Sequence, residues 1–408
     1  MTILPKLFLA VLGLTPTWVS GADALGSLPS LPTGFNNPGD NQPNLFTDPP
    51  SDGSLSVRDF NLNLSVNASY DSNVTQGSDS GFFPAESDFI ITTGLSGSYE
   101  LGDSEWQLGG NASVNYREHF EREDFSALNY SFSLYGGYRS RKTTATVRAG
   151  LAQNNGVNLQ TGQFLEQRNY NTSAMLRYQI SGKTSLLGNW DYGFFDSQNA
   201  NFNNAENWNL GLSALWNATP RITVGPGLRY GVRAGVGDSE LTLLGLTMRL
   251  NYDLSTKVKL RSTIGLDRAD SPFSGNDTLW NWSVGLSYTP SQRWGLNLDL
   301  IQDTQATFAV GGGFDQTASY QLNYWRKIKR ARLSLGVSYL DRSPTDSLPT
   351  IVGIRDSQFI SLTSSLGFPI LADRANLSLT FSYREQETAN GFQSWDGIQT
   401  GLNLSWRF

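Results

Sequence analysis

Several residue types and features are scarce or missing in this chain of 408 residues, and each absence excludes something. There is no cysteine, which excludes disulfides and a lipid-anchored cysteine. No run of 18 or more apolar residues occurs, so the sequence predicts no transmembrane helix. No P-loop, dinucleotide fingerprint or Cys/His metal spacing is found, and we expect neither cofactor nor metal. The net charge of -6 is unclustered, which argues against nucleic acid as a partner.

The composition is unlike that of a packed globular core. Hydrophobic residues make up 38% of the chain, whereas aromatic residues reach 12% and glycines number 41. Globular domains usually contain about 45–50% apolar residues. A wall that needs only one apolar residue in two has a lower apolar content, so the mean hydropathy of -0.32 is compatible with full membrane insertion.

Apolar and small polar residues alternate along most of the chain. Residues 60–70 read FNLNLSVNASY, and the pattern returns, with turns between, as far as Phe408. A period of two is typical of a strand whose two faces meet different environments. We place about 18 such strands, mostly about 12–14 residues long, near the length that a tilted membrane strand requires. The sequence therefore predicts an all-β fold, a transmembrane antiparallel up-and-down β-barrel in the outer membrane.

The connections and the aromatic residues give this barrel a direction. Short turns such as 181–183 and 289–292 belong on the periplasmic side, and longer loops such as 153–166 and 341–356 belong outside. Aromatic residues lie at both ends of the outward rows, as two interfacial belts require. With an even number of strands, both ends of the barrel chain are expected in the periplasm.

Three regions follow one another along the chain. Residues 1–24 resemble a signal peptide, with Lys6 before the apolar stretch 7–14 and small residues at 20–24. Residues 25–57 are rich in Pro, Ser, Asn, Gly and Asp without periodicity, which predicts a flexible periplasmic lead-in. The barrel is expected to occupy residues 58–408.

The inward positions are mostly Asn, Ser, Thr, Gly and Gln, which predicts a polar lumen. With about 16–18 strands, side chains leave an aqueous channel. Tyr135 and Phe195 are the only large aromatic residues that we place inside. The predicted pore-lining residues are Asn63, Asn111, Arg148, Arg177, Asp191, Arg229, Arg249, Arg261, Asp267 and Asp299.

Two interpretations of the inward arginines remain open. They could form a basic constriction that selects anions, since rings of Arg or Lys line anion pores. Alternatively, they are solvated lumen charges paired with inward carboxylates. The strands that carry them are not all neighbours, which favours the second interpretation.

His119 is the one histidine, at the predicted outer end of a strand, with Glu118 and Glu121 beside it. It could belong to a surface acid–base site, or it could be a solvated loop residue. No partner set for nucleophilic catalysis is recognisable by spacing, which favours the solvated residue. The chain is therefore not expected to be an enzyme.

Two short segments resemble known proteins. Tyr70-Asp71-Ser72-Asn73-Val74 resembles the end of the first strand in β-barrel porin families found near exopolysaccharide and surface-sugar loci of Gram-negative bacteria, and strands that close on tyrosine, as far as Tyr383, add to this. The resemblance implies an outer-membrane channel and raises polysaccharide export as its function. The final strand, which ends on Trp406 and Phe408, resembles the strand that outer-membrane barrels present to the barrel-assembly machinery.

The expected function is a porin-like channel for the passive passage of small hydrophilic solutes, with a link to polysaccharide export. Its expected partners are outer-membrane lipid, the barrel-assembly machinery, and a small solute or polysaccharide. The alternative is a structural or adhesion barrel with a closed lumen and ligand-binding surface loops.

Overall fold

The described strands form a single closed sheet. The computed structural model describes residues 56–77, 84–102, 105–157, 164–197, 204–234, 240–271, 275–306, 314–344, 356–371, 374–388 and 394–408. Within these residues, 18 antiparallel strands each pair with the strands before and after them, and β1 closes the barrel by pairing with β18. The predicted up-and-down barrel with about 18 strands is thus confirmed.

The strands are all long enough to cross a membrane when tilted. Their bounds are β1 Ser56–Asp71, β2 Asp88–Gly102, β3 Trp106–His119, β4 Ala127–Arg139, β5 Thr143–Val157, β6 Phe164–Gln179, β7 Thr184–Ser197, β8 Ala205–Thr219, β9 Ile222–Ala234, β10 Glu240–Asp253, β11 Val258–Ser271, β12 Gly275–Ser291, β13 Trp294–Ala306, β14 Phe314–Ile328, β15 Ala331–Pro344, β16 Ser357–Ile370, β17 Ala375–Thr388 and β18 Trp395–Arg407. One turn of 3-10 helix, Glu123–Phe125, lies between β3 and β4.

The strand register places apolar residues of neighbouring strands side by side on the outer face. Leu228 of β9 lies opposite Leu246 of β10, which in turn lies opposite Leu266 of β11. Leu246 is 67% exposed and Leu228 is 56% exposed. A continuous band of exposed leucine of this kind is stable only against another apolar phase, so the outer face is the face that contacts lipid.

Aromatic side chains border this band at both of its ends. At one end Trp294 packs against Tyr288 and Tyr324, with ring centroids 5.3 and 5.6 Å apart. At the other end Trp208 packs against Tyr230, with centroids 5.1 Å apart. These two rows match the aromatic belts expected at the two membrane–water interfaces.

The two ends of the barrel differ in their connections. One end, here called the short-turn end, carries tight turns such as 180–183, 292–293 and 329–330, and β1 begins and β18 finishes there. The other, the long-loop end, is where β1 finishes and β2 begins. Outer-membrane barrels keep short turns in the periplasm, so we expect the long-loop end to face outward.

The predicted signal peptide and most of the predicted lead-in lie outside the described residues. β1 begins at Ser56, so the last two residues of the predicted lead-in belong to the first strand. In the part of the chain that the structure describes, no helix is long and apolar enough to cross a membrane.

Candidate functional site: the lumen wall

The inner faces of β3 to β6, here called the open wall, are polar and reach water. Asn111 of β3, Ser131 of β4 and Asn171 of β6 are exposed, although the register directs them to the barrel interior. Asn111 Nδ2 donates to Ser133 Oγ at 3.4 Å, and Ser131 Oγ lies 2.7 Å from Ser113 Oγ. An inward side chain is exposed only where the lumen has room for water, so the lumen is open beside these strands.

The inner faces of β7 to β14, here called the packed wall, carry a buried ion-pair network instead. Arg229 is 4% exposed, and it donates from Nη1 to Asp267 Oδ2 at 2.9 Å and from Nη2 to Asp303 Oδ1 at 3.0 Å. Both carboxylates are buried as well. A guanidinium taken out of water needs charged acceptors of this kind, because an unpaired buried charge is very costly.

Arg233 extends this network across the lumen. Its Nη2 donates to Asn209 Oδ1 at 3.0 Å and lies 3.6 Å from Asp303 Oδ2, and its Nε donates to the carbonyl oxygen of Thr304 at 3.2 Å. Asn209 is on β8 and Thr304 is on β13, and β13 lies against β8 and β9 although three or more strands separate them in the sheet. The wall is therefore folded inward here, and the arginines hold its two sides together.

Glycines on the packed wall let polar side chains lie flat on the sheet. A methyl group at Gly245 would lie 1.8 Å from Asp267 Oδ1, and one at Gly265 would lie 2.3 Å from Asn281 Oδ1. Neither contact is possible for a residue with a Cβ. The close approach of the carboxylate that Arg229 binds therefore depends on glycine in the neighbouring strand.

An apolar cluster lies on the packed wall next to this network, towards the long-loop end. It consists of the buried residues Phe195, Ala205, Leu241, Leu243, Ala269 and Phe314. A second cluster contains Leu340, Phe359 and Trp395. Tyr135 and Phe195 are therefore not the only large aromatic residues inside, and that prediction was wrong. Phe314, Phe359 and Trp395 lie at or near the first residue of their strands, where a few residues of alternation do not define a face.

Only some of the predicted pore-lining residues are brought together. Arg229 and Asp267 form one ion pair, and Asn189 connects Arg249 with Asp191. The Arg249 Nη2 to Asn189 Oδ1 distance is 3.3 Å, and the Asn189 Nδ2 to Asp191 Oδ2 distance is 3.4 Å. All four predicted residues belong to the packed wall, where their burial or partners restrict their access to a solute.

The remaining predicted residues are dispersed around the barrel. Arg261 is paired at 3.0 Å with Asp253 at the short-turn end. The Arg148 guanidinium lies 6.0 Å from the Tyr135 ring centroid, and Arg177 Nε donates to Ser185 Oγ at 3.3 Å. Asn63 and Asn111 line β1 and β3, and Asp299 faces inward on β13 between Gly285 and Gln321. A pore-lining role for all these residues stays a prediction.

Among the described residues, three further ion pairs inside the barrel were missed by sequence reasoning. They are Arg233 with Asp303, Arg342 with Asp315 at 4.0 Å, and Arg384 with Asp71 at 2.5 Å. The inward position of Arg233 could have been predicted from the sequence, because Arg233 lies four residues after Arg229 and so shares its face of the strand. The pairing partners could not be read from the sequence, because they lie on strands that are distant along the chain.

The segment 70–74, on which the family resemblance rests, connects β1 to neighbouring elements at the long-loop end through an ion pair and hydrogen bonds. Asp71 pairs with Arg384 of β17 across the intervening β18. Asn73 Nδ2 donates to the carbonyl oxygens of Gly77 and Asp396, both at 2.8 Å, and Asn73 Oδ1 accepts from the Gly77 N–H at 3.0 Å. These bonds tie the end of β1 to the loop after it and to the start of β18.

His119 does lie at the end of β3, but it is not solvated. It is 5% exposed, and its Nδ1 is hydrogen-bonded to Asp88 Oδ2 at 2.9 Å. Asp88 also accepts hydrogen bonds from the backbone N–H groups of Phe120, Glu121 and Arg122. The predicted solvated loop histidine was therefore wrong, because the Asp88 carboxylate draws the ring and the following turn into the barrel mouth. This arrangement anchors a turn.

The same turn carries a charged group on its surface. Arg122 donates to both carboxylate oxygens of Asp124, at 2.9 and 2.7 Å, and to Glu86 Oε2 at 2.6 Å, and its guanidinium lies 4.2 Å from the Phe125 ring centroid. The hydrogen bonds to Asp124 and Glu86 raise the pKa of Arg122, and the hydrogen bond from Arg122 lowers the pKa of the Asp124 carboxyl. Within the described residues, no group of three or more His, Cys, Asp or Glu side chains is placed to hold a metal ion.

The closed sheet, its lipid-facing apolar band and its polar interior define an outer-membrane β-barrel.

No family model matches the chain, and no curated protein matches it. Among solved structures it is similar to OpdL of Pseudomonas aeruginosa, with 13% identity, 86% of this chain and 99% of that chain covered, and a TM-score of 0.42. OccAB3 of Acinetobacter baumannii gives 13% identity, the same coverages and a TM-score of 0.42. The FrpB iron transporter of Neisseria meningitidis has 9% identity to this chain, with 86% of this chain and 82% of that chain covered and a TM-score of 0.45.

Proposed function

We propose that the protein is a channel for the passive passage of small hydrophilic solutes across the outer membrane, with its path along the open wall. The observation that supports this is the exposure of the inward side chains Asn111, Ser131 and Asn171. Amide and hydroxyl groups replace part of a solute's hydration whether or not the solute is charged. Such a lining therefore favours hydrated solutes of many kinds. No catalytic step is needed for this function.

In this proposal the packed wall limits the width of the lumen. An 18-stranded barrel without inward packing would leave a wide aqueous lumen. Here the network around Arg229 and the cluster around Leu243 occupy the side formed by β7 to β14. The width available to a solute is thereby set by side chains on the strands themselves.

A tryptophan on the open wall tests the path. We expect Ser131→Trp to lower the single-channel conductance in planar bilayers by about half or more, because an indole would occupy space that now holds water. Phe132→Trp is the matched control, since residue 132 is the next residue on the same strand and is exposed on the lipid face. It should leave the conductance unchanged.

Two results would contradict the proposal. One is the absence of any conductance step from refolded wild-type protein. The other is an equal effect of the two tryptophans, which would mean that Ser131 does not border the path.

A structural or adhesion barrel with a closed lumen is the second candidate. The observation in its favour is that apolar clusters lie inside the barrel at the long-loop end, including Phe314 and Phe359. In this case the wild-type protein would fold and insert normally but would give no conductance, and its ligand would bind to the surface loops.

Polysaccharide export is a narrower form of the channel proposal, and it rests on the resemblance at residues 70–74. Asn73 and Asp71 make hydrogen bonds within the barrel mouth, which gives them a structural reason to occur. Reversible block of the single-channel current by neutral oligosaccharides would support export, and free passage of salt without any block would argue against it.

Recognition by the barrel-assembly machinery is also a proposal. The Phe408 side chain is 70% exposed, and its N–H donates to the carbonyl oxygen of Leu62 at 3.0 Å. We expect Phe408→Ala to reduce the folded fraction in outer membranes several-fold, measured by heat-modifiable migration. Arg407→Ala, an adjacent change, should have little effect, and equal losses in both variants would contradict a specific role of the aromatic residue.

A further inference from the structure

We infer that the open wall favours small anions and that Arg148 and Arg177 determine this preference. The inference deepens the proposed channel function and rests on it, since it names the class of solute that the path admits best. The anions in question are small hydrated ones such as chloride, phosphate or short carboxylates.

The open wall carries inward charge of one sign. Its inward charged residues are Arg117, Arg139, Arg148 and Arg177. The carboxylates on the same four strands are Glu118 and Glu166, both at outward positions near the long-loop end and both exposed. A solute that passes β3 to β6 therefore meets guanidinium groups without carboxylates from these strands.

Arg148 and Arg177 differ from the arginines of the packed wall in their partners. Arg229 and Arg261 are paired with carboxylates at 2.9 and 3.0 Å. Among the described residues, neither Arg148 nor Arg177 forms an ion pair, and both are half-buried rather than enclosed. Arg148 lies over the neutral Tyr135 ring, and Arg177 donates to the Ser185 hydroxyl. Their charge is therefore still available to a solute.

The spacing of these two arginines suits successive contacts with one ion. Arg148 lies opposite Ser173 on β6, and Arg177 lies four residues further along that strand. At about 3.3 Å per residue the two Cα positions are about 13 Å apart along the wall. Thr146 of β5 and Met175 of β6 lie opposite each other at inward positions between the two arginines, so uncharged side chains separate the two cations.

Inward carboxylates on other strands weaken this field, and Asp191 of the neighbouring β7 lies opposite Ser173. Glu100 faces inward on β2, Asp191 on β7 and Asp299 on β13. Asp191 is bonded to Asn189, which also binds Arg249. Asp299 lies on β13, outside the open wall. One unpaired charge about 6 Å from an ion in water changes its local concentration about threefold, and the effect falls with distance. The nearest charges therefore dominate.

The reversal potential in a salt gradient across a planar bilayer tests this inference. We expect the wild type to pass chloride about threefold better than potassium, and we expect Arg148→Gln with Arg177→Gln to bring this ratio close to one. Arg148→Lys with Arg177→Lys retains the charge and should retain the preference. Asp299→Asn should raise the chloride preference or leave it unchanged.

The outcomes separate the inference from the channel proposal. A wild type that conducts without anion preference, or a glutamine variant that conducts and keeps the wild-type preference, overturns the role of the two arginines and leaves the channel intact. The absence of conductance in the wild type overturns both. If the glutamine variant fails to fold, single substitutions of each arginine are measured instead, and each should lower the ratio in part.

Discussion

Replacing Asp303 with alanine is expected to lower the free energy of unfolding of the barrel by about 3–5 kcal/mol, because it breaks a buried ionic network from one side. Asp303 lies between Arg229 and Arg233, with oxygen-to-nitrogen distances of 3.0 and 3.6 Å. All three side chains are less than 5% exposed. After the substitution Arg229 keeps Asp267, but Arg233 loses its carboxylate and stays buried with neutral acceptors only.

Urea unfolding of the refolded protein in lipid vesicles measures this effect. Asp253→Ala is the matched control, because it also removes the carboxylate from an arginine, but from a pair with side-chain exposures of 48% and 29%. We expect the control to change the free energy of unfolding by about 1 kcal/mol or less. Equal losses in the two variants would contradict a special role for the buried network.

The second large effect is expected from Asp88→Ala. The Asp88 carboxylate is hydrogen-bonded to the His119 ring and accepts bonds from three backbone N–H groups of the following turn, at 3.0 to 3.3 Å. Its loss removes this acceptor from the His119 ring and from the N–H groups of Glu121 and Arg122, whereas the Phe120 N–H keeps the carbonyl oxygen of Phe89. The cost is about 1–3 kcal/mol for each donor that water cannot reach. We expect a total loss of about 2–4 kcal/mol.

Amide hydrogen exchange distinguishes local from global loss. Exchange at residues 120–122 should accelerate far more than exchange in the centre of β3, because the turn loses its anchor while the strand pairing remains. Asp124→Ala on the same turn is the control, since Asp124 is 62% exposed where it pairs with Arg122. Unchanged exchange at 120–122 in Asp88→Ala would mean that the carboxylate does not hold the turn.

The interior of this barrel has two different sides. On β3 to β6 inward residues such as Asn111, Ser131 and Asn171 are polar and exposed, which suits passage. On β7 to β14 inward residues are buried around Arg229, Arg233 and Leu243, which suits support of the wall. A barrel with one supported side can hold a narrow path open along its other side.

Much of the fold follows from local alternation, as β1 illustrates. The even positions Leu64 and Val66 reach lipid, and the odd positions Asn67 and Ser69 point inward and are buried. A strand between two solvents requires this order because successive side chains point to opposite faces. Strand number and short-turn positions follow from the same rule, since each turn interrupts the alternation.

Parts of the candidate site lie beyond that rule. Arg229 and Asp267 were both expected to face inward, but their direct contact was not predictable, because 38 residues separate them in the chain. His119 was expected in solvent, since no partner set for it is recognisable by spacing in the sequence. Its burial depends on Asp88, which is 31 residues earlier and is brought beside it by the β2–β3 pairing.

The sequence by itself therefore determined, for the central residues of the strands, which face lipid and which face the interior, because successive side chains of a strand point to opposite faces. Only the tertiary structure decided which inward residues meet water and which meet each other. That choice depends on how the closed sheet bends, and the bend brings β13 against β8 and β9. Contacts between strands so far apart in the sheet leave no local pattern along the chain.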